Sequence, residues 1–346
     1  MTVMSSGSST PDRDDPLSIT TQIPAIDDSA SPPRRPSGGR SKRPKPARAA
    51  DRPTAGGRRG RRESPRPRPD DMSGPLTAPI LSGVNHGGSA AVALVVGCAL
   101  AATAWIGPTD LVIGVAVTQG LLVISWVLGT ALPGRIGGMA VGALAAAAAD
   151  IVVSRWPHGQ LGTLLGVLAL AVPAMFVHQL TRGVVRARVA ESLSDIAVLV
   201  VAVVAFAALI QLRHESGGKL MVTGVLLAAT AALVVGHLVD MVAPVPRFDV
   251  TVPRGLLAVL AAIGAAAAVA YLRLHDTVEF TSGRAGFMGG AIGGIVSLFA
   301  IGAAFMQQTS SVPIGVSRLM RPVFGVLVPL GLLAPVAYLL CLAIRG

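Results

Sequence analysis

The side chains in the apolar part of this chain whose types could do chemistry are His178, Arg182, Asp195, His237 and Asp240, with Glu191 beside them. His237 and Asp240 stand three residues apart, a spacing that puts both on one face of a helix. Such a pair can pass a proton or hold a divalent metal together with other ligands. Arg182, followed by Arg186 and Arg188, offers planar donors suited to a phosphate or a lipid headgroup. Together these residues are the raw material for handling a phosphorylated lipid at one membrane face. The competing reading is that each lies within about a turn of the end of an apolar segment, where polar groups reach water and serve as interfacial anchors. Asp150 reads in the same way, as an interfacial ion pair with Arg155. His275, Asp276 and Glu279 read as a solvated connection between Arg273 and Arg284. Gln119, Ser125 and Thr230 are the best polar residues at mid-depth of a span, and they are few for a transport path.

The motifs that would specify a reaction are missing from the sequence. It has no Gly-Lys-Ser/Thr phosphate loop, no His-Glu-x-x-His zinc pair and no Gly-x-Ser-x-Gly nucleophile turn. His86-Gly87-Gly88 precedes the first apolar span and lacks acidic partners nearby. Cys98 and Cys341 sit singly in apolar runs, so they give neither a metal-ligand spacing nor a disulfide framework and read as small buried hydrophobes. No cofactor or metal is expected.

What must position these residues is a membrane bundle. The chain is 52% hydrophobic and 14% charged, where a soluble domain carries about 25% charged residues. Residues 81–346 hold only 14 Lys and Arg and 9 Asp and Glu. About 20 apolar residues are needed to cross ~30 Å of hydrocarbon as a helix. Nine segments meet that length, at 89–107, 109–132, 136–153, 160–180, 194–212, 219–242, 255–272, 285–306 and 323–344. The fold expected is therefore all-α, a polytopic transmembrane helix bundle over 81–346. Pro133-Gly134-Arg135, Pro157-His158-Gly159, Ser216-Gly217-Gly218 and Pro244-Val245-Pro246 are the turn chemistry between spans. Gly107-Pro108 leaves so little room that the first two segments could instead form a re-entrant pair. The third is mainly Ala and Gly and is the weakest in apolar strength. Trp105, Trp126 and Trp156 fall near span ends, where an indole suits the headgroup level.

Residues 1–80 are rich in Pro, Ser, Gly and Arg and cannot bury enough apolar surface to offset ordering entropy, so a disordered tail is expected. Residues 34–68 carry 14 basic residues against Asp51 and Glu63. This block suits anionic lipid headgroups, at about 1 kcal/mol per charge near the surface. It lacks the interleaved aromatics that stack bases, so nucleic acid is not the expected partner. The opposing reading is a solvated tail that only sets orientation. Ser18, Thr20 and Thr21 lie among acidic residues and are accessible to a kinase. Scarce aromatics, abundant Ala, Gly and Arg, and lysines only at 42, 45 and 219 suggest a bacterial genome of high GC content. With the tail in the cytoplasm, the inner loops carry eight basic residues and the outer loops and C-terminus six. The basic tail decides this weak bias toward a cytoplasmic N-terminus in the plasma (inner) membrane.

Gly134, Gly138 and Gly142, and again Gly286, Gly290 and Gly294, repeat at four-residue spacing, with Gly289 and Gly293 beside the second set. Such stripes let another helix come close, either within the bundle or across a homo-oligomer face. The function expected is that of a non-enzymatic membrane protein, a permease for a small solute or lipid or a scaffold of the cell envelope. The alternative is an intramembrane enzyme acting on a phosphorylated lipid at the cytoplasmic leaflet, which requires His178, Asp195, His237 and Asp240 to converge. Protease added to inside-out vesicles is expected to remove a tag at residue 1 completely. Protection of that tag would reverse the assigned sidedness.

Overall fold

The computed structural model describes residues 85–130, 134–157, 161–182, 189–248, 254–275, 277, 280–309 and 317–344. The N-terminal tail with its basic block and Thr20 and Thr21, and also Arg186, Arg188, Asp276 and Glu279, lie outside the described residues. Within them the chain is all-helical. The helices are α1 (His86–Ile106), α2 (Pro108–Gly129), α3 (Arg135–Arg155), α4 (Gly162–Thr181) and α5 (Val189–Phe206). There follow α6 (Ala208–His214), α7 (Gly218–Val242), α8 (Leu256–Leu274), α9 (Ser282–Thr309) and α10 (Ser317–Ile344). α5 and α6 form one span, Val189–His214, so nine spans lie among the described residues. The break between them is a single turn at Ala207, whose N–H donates to Val204 O at 3.1 Å. α1 and α2 are both full-length, at 21 and 22 residues, so they cross separately and are not re-entrant.

The helix ends follow local chemistry that hydropathy does not report. The Asn85 side chain accepts the Gly88 N–H at 2.8 Å and caps α1. Pro108 opens α2, where a missing N–H costs nothing. Gly134 (φ 79°) and Gly217 (φ 69°) take the left-handed conformation just before α3 and α7. α5 starts five residues ahead of its apolar run, with Glu191, Ser192 and Asp195 in its first two turns.

α7 is the hub and packs on α1, α8 and α9. Its side chains meet backbone at close range. Thr230 lies directly on Gly97 of α1, so any larger residue at 97 would collide with it. The tightest seam is α8 against α9. Ala258, Ala262, Ala266 and Ala270 present one face at four-residue spacing, all buried. Gly289 and Gly293 lie on that face. A Cβ on Gly293 would stand 2.8 Å from the Ala262 carbonyl oxygen and 2.8 Å from the Ala266 Cβ. Of the glycines singled out by their spacing, Gly286 faces open space. Gly290 and Gly294 make only ordinary contacts with Ile263, at 3.7 Å. The intramolecular seam therefore uses the neighbouring pair and leaves the stripe Gly286, Gly290, Gly294 on its flank.

Two expectations change. Trp126 is fully buried and stacks obliquely on Phe324 of α10, ring centroids 4.7 Å apart, because α10 covers that face of α2. Trp105 and Trp156 are exposed near helix ends, and Lys219 sits 4.1 Å above the Trp105 ring. Cys98 is on the exposed face of α1, whereas Cys341 is buried beside Met288, 3.6 Å between sulfurs. Gly293→Val is expected to cost about 1–3 kcal/mol by overpacking, and Gly286→Val to leave the midpoint within a degree or two. Thermal unfolding in detergent distinguishes the two.

Candidate functional site

α7 places His237 and Asp240 inside the bundle, both 2% exposed. Facing them is Arg254, 5% exposed, delivered by the short segment before α8. Its Nη2 lies 2.9 Å from His237 Nε2, and its Nη1 lies 3.6 Å from Asp240 Oδ2. Asp240 Oδ1 accepts the Gly255 N–H at 2.8 Å, while Oδ2 has the ion pair without a hydrogen bond. A guanidinium can only donate, so the His237 ring accepts from it, with Nη2 also 3.3 Å from its Nδ1. His237 Nδ1 stands 3.4 Å from Nδ1 of His86 in the first turn of α1. Burial pulls the Arg254 guanidinium below its usual pKa, and the Asp240 carboxylate pushes it back up.

The segment that carries Arg254 is itself held in place. Leu256 N–H donates to Pro246 O at 2.9 Å, and Arg247 and Gly255 form an isolated antiparallel bridge. Gly255 is packed so closely that a Cβ there would sit 2.7 Å from Val245 N. The space beside the cluster, lined by Ser89, His237, Arg254 and Gln307 among others, is about 10 Å³. That is room for one water and not for a substrate. A cation is disfavoured beside the guanidinium, and no metal-binding group of His, Cys, Asp and Glu exists among the described residues. The arrangement is a polar latch that ties α1, α7 and the entry to α8.

The other sequence candidates lie elsewhere. His178 and Arg182 line a cavity of about 620 Å³ with Gly134, Arg135, Ile136, Gly137 and Thr181. Asp195 lines a cavity of about 220 Å³ with Glu191, Thr130, Gln307 and Phe324. The structure thus joins His237 to Asp240 and His178 to Arg182, and it distributes His178, Asp195 and His237 over three cavities. None of these three cavities is lined by all four residues of the enzymatic alternative.

A polar pair at membrane depth is the other construction. Gln119 of α2 donates through Nε2 to Asp150 Oδ1 and to Val203 O, both at 3.0 Å, and both side chains are buried. Asp150 therefore turns inward to Gln119 and not to Arg155, which is exposed. Five residues of helix separate Asp150 from Arg155, which puts them on different faces. Ser125 and Thr230 each donate to a carbonyl of their own helix, at 3.0 and 2.6 Å, and are spent there. Gln119 and Asp150 end a cavity of about 460 Å³ between α2 and α3, whose other lining residues are apolar or glycine, among them Ala116, Val123, Met139, Ala143 and Ala147.

No protein-family model matches this chain, and comparison with curated proteins and with solved structures gives no match either. Among the described residues the fold is an all-helical bundle with nine helices long and apolar enough to cross a membrane.

Sequence reasoning missed His86 and Arg254, which were read as a pre-span residue and a loop charge. Their distance along the chain from His237 carries no periodic signal. Arg254→Met is expected to destabilise the protein by about 3–5 kcal/mol, because it leaves Asp240 buried without its cation. Arg254→Met with Asp240→Leu should recover most of that loss. Urea unfolding in mixed micelles reads both.

Proposed function

We propose that this chain is a non-enzymatic multi-pass membrane protein that takes a small amphiphile from the bilayer through the side of the bundle, between α2 and α3. The supporting observation is the cavity of about 460 Å³ ending on Gln119 and Asp150. Its rim residues Ala116, Gly120, Ile124, Met139, Ala140 and Ala143 are exposed on a surface whose natural solvent is lipid. An ionisable side chain at this depth is expensive and by default functional. A carboxyl group fixed by one amide donor offers its remaining acceptor capacity to the cavity. The fitting ligand has an apolar body and a hydrogen-bond-donating or cationic head, such as an alkylamine or a lipid alcohol. This reading belongs to lipid or small-solute handling, and it needs none of the nucleophiles or metal ligands that catalysis would require.

In the proposed orientation the N-terminus is cytoplasmic, and the block at 34–68 rests on anionic headgroups of the inner leaflet of the plasma membrane. Asp150 then lies in the outer half of α3.

A diazirine-bearing alkylamine, photolysed with the protein in lipid nanodiscs, is expected to label peptides containing 116–124 and 139–150. Ala143→Phe, at an exposed position on the rim, should lower that labelling about fivefold or more. Asp150→Asn should weaken it about tenfold. Equal labelling of the wild type and Ala143→Phe would sink the proposal.

A further inference from the structure

On the opposite flank of α3, two cavities lie end to end along one helix pair. Between α3 and α4, an apolar crevice of about 240 Å³ is lined by Val141, Leu144, Ala145, Ala148 and Val152 on one side and by Val167, Leu170, Ala171 and Ala174 on the other. On α4 the lining positions 167, 170, 171 and 174 continue at the same three- and four-residue spacing to His178, Thr181 and Arg182. On α3 the positions 152, 148, 145, 144 and 141 continue to Gly137. The next turn of both helices is therefore the wall of the 620 Å³ cavity that holds Arg135, His178 and Arg182.

We propose that this continuous crevice binds one anionic phospholipid. Arg135, His178 and Arg182 hold its phosphate, and an acyl chain lies between α3 and α4. The charge of the mouth selects the head: among the described residues two guanidinium groups and an imidazole line it, and no carboxylate does. The mouth is also built in advance of any ligand. Arg182 Nη1 donates to Gln179 Oε1 at 2.9 Å, and the buried Gln179 donates in turn to Ser192 of α5 at 3.0 Å. Two glycines allow the Arg182 and His178 side chains to lie against the start of α3. A Cβ on Gly134 would stand 3.0 Å from Arg182 Nε, and one on Gly137 would overlap the His178 ring. His178 Nε2 is buried against the start of α3 and has no hydrogen-bond partner among the described residues. Arg–phosphate pairing is the recognition this geometry favours.

The apolar half decides between a lipid and a free ion. Lining residues Leu144 and Leu170 are 70% and 75% exposed, so the crevice opens sideways to hydrocarbon. From Val141 to Val152 it runs ~17 Å along α3, enough for most of an acyl chain. Inorganic phosphate has no use for that length. This site shares no lining residue with the Gln119–Asp150 cavity, so either can fail alone.

The test uses the full chain in nanodiscs doped with phosphatidylglycerol or phosphatidylcholine, each with a diazirine near the end of one acyl chain. Adducts are counted on peptides containing 141–152 and 167–174, which the basic tail cannot produce by holding headgroups elsewhere. Phosphatidylglycerol should give about fivefold more adduct than phosphatidylcholine. Arg135→Gln, a change at an exposed side chain, and Arg182→Gln should each bring the ratio toward one. Ala148→Trp should abolish both adducts, and 10-fold excess inorganic phosphate over lipid should change neither. A wild-type ratio of one, a ratio unchanged in Arg135→Gln with Arg182→Gln, or displacement by inorganic phosphate would overturn the proposal.

Discussion

Inside a bilayer no water is available to a backbone amide, and the rest of this structure follows from that. Every described segment of membrane depth is a helix, because only a helix satisfies its own N–H and C=O groups. The same solvent removes the usual reason for helices to associate, since lipid tails are as apolar as leucine. Cohesion must then come from closeness, and closeness from small residues. The α8–α9 seam shows it most plainly: four alanines on one helix receive two glycines of the other, with backbone oxygen and Cβ atoms at contact distance. Gly97 under Thr230 does the same for α1 and α7.

Small residues have the opposite effect where the neighbouring helix does not close in. α3 is largely alanine and glycine, and it has an open crevice on each flank, one shared with α2 and one with α4. A helix of leucines would have filled both. The small side chains of this span and its two lateral cavities are therefore one property, seen first in the sequence and then in space. Polar groups follow a related rule. Most hydroxyls return to a carbonyl of their own helix, so the cross-helix bonds of Gln119, Asp150, His237 and Arg254 stand out.

Hydropathy was enough to read the helical class, the number of spans and most of their limits, because the length of an apolar run is dictated by bilayer thickness. It did not read the starts of α5 and α10, since polar residues at a helix end leave no apolar trace. Spacing on a single helix was also legible: His237 with Asp240, and the lining of α4 up to Arg182. Partners on different helices were not. Nothing in the neighbourhood of Gln119 announces Asp150, and nothing near His86 announces Arg254. Trp126 shows the same limit, for its depth near a span end suited a headgroup position, and only the placement of α10 buries it. Of the glycines, spacing found the right helix and the wrong face, because Gly289 and Gly293 repeat at four residues just as Gly286 and Gly290 do.

The polar latch also sets an order of events during synthesis. His86 and His237 are 151 residues apart, an interval a ribosome covers in roughly 10–30 s. Throughout that time the first helix is already in the membrane with its deepest partner unmade, and its imidazole stays wet at the bilayer edge. Only when the seventh helix and the arginine behind it emerge can the latch close. α1 thus gains its polar contact with α7 only after α2 to α6 have been made.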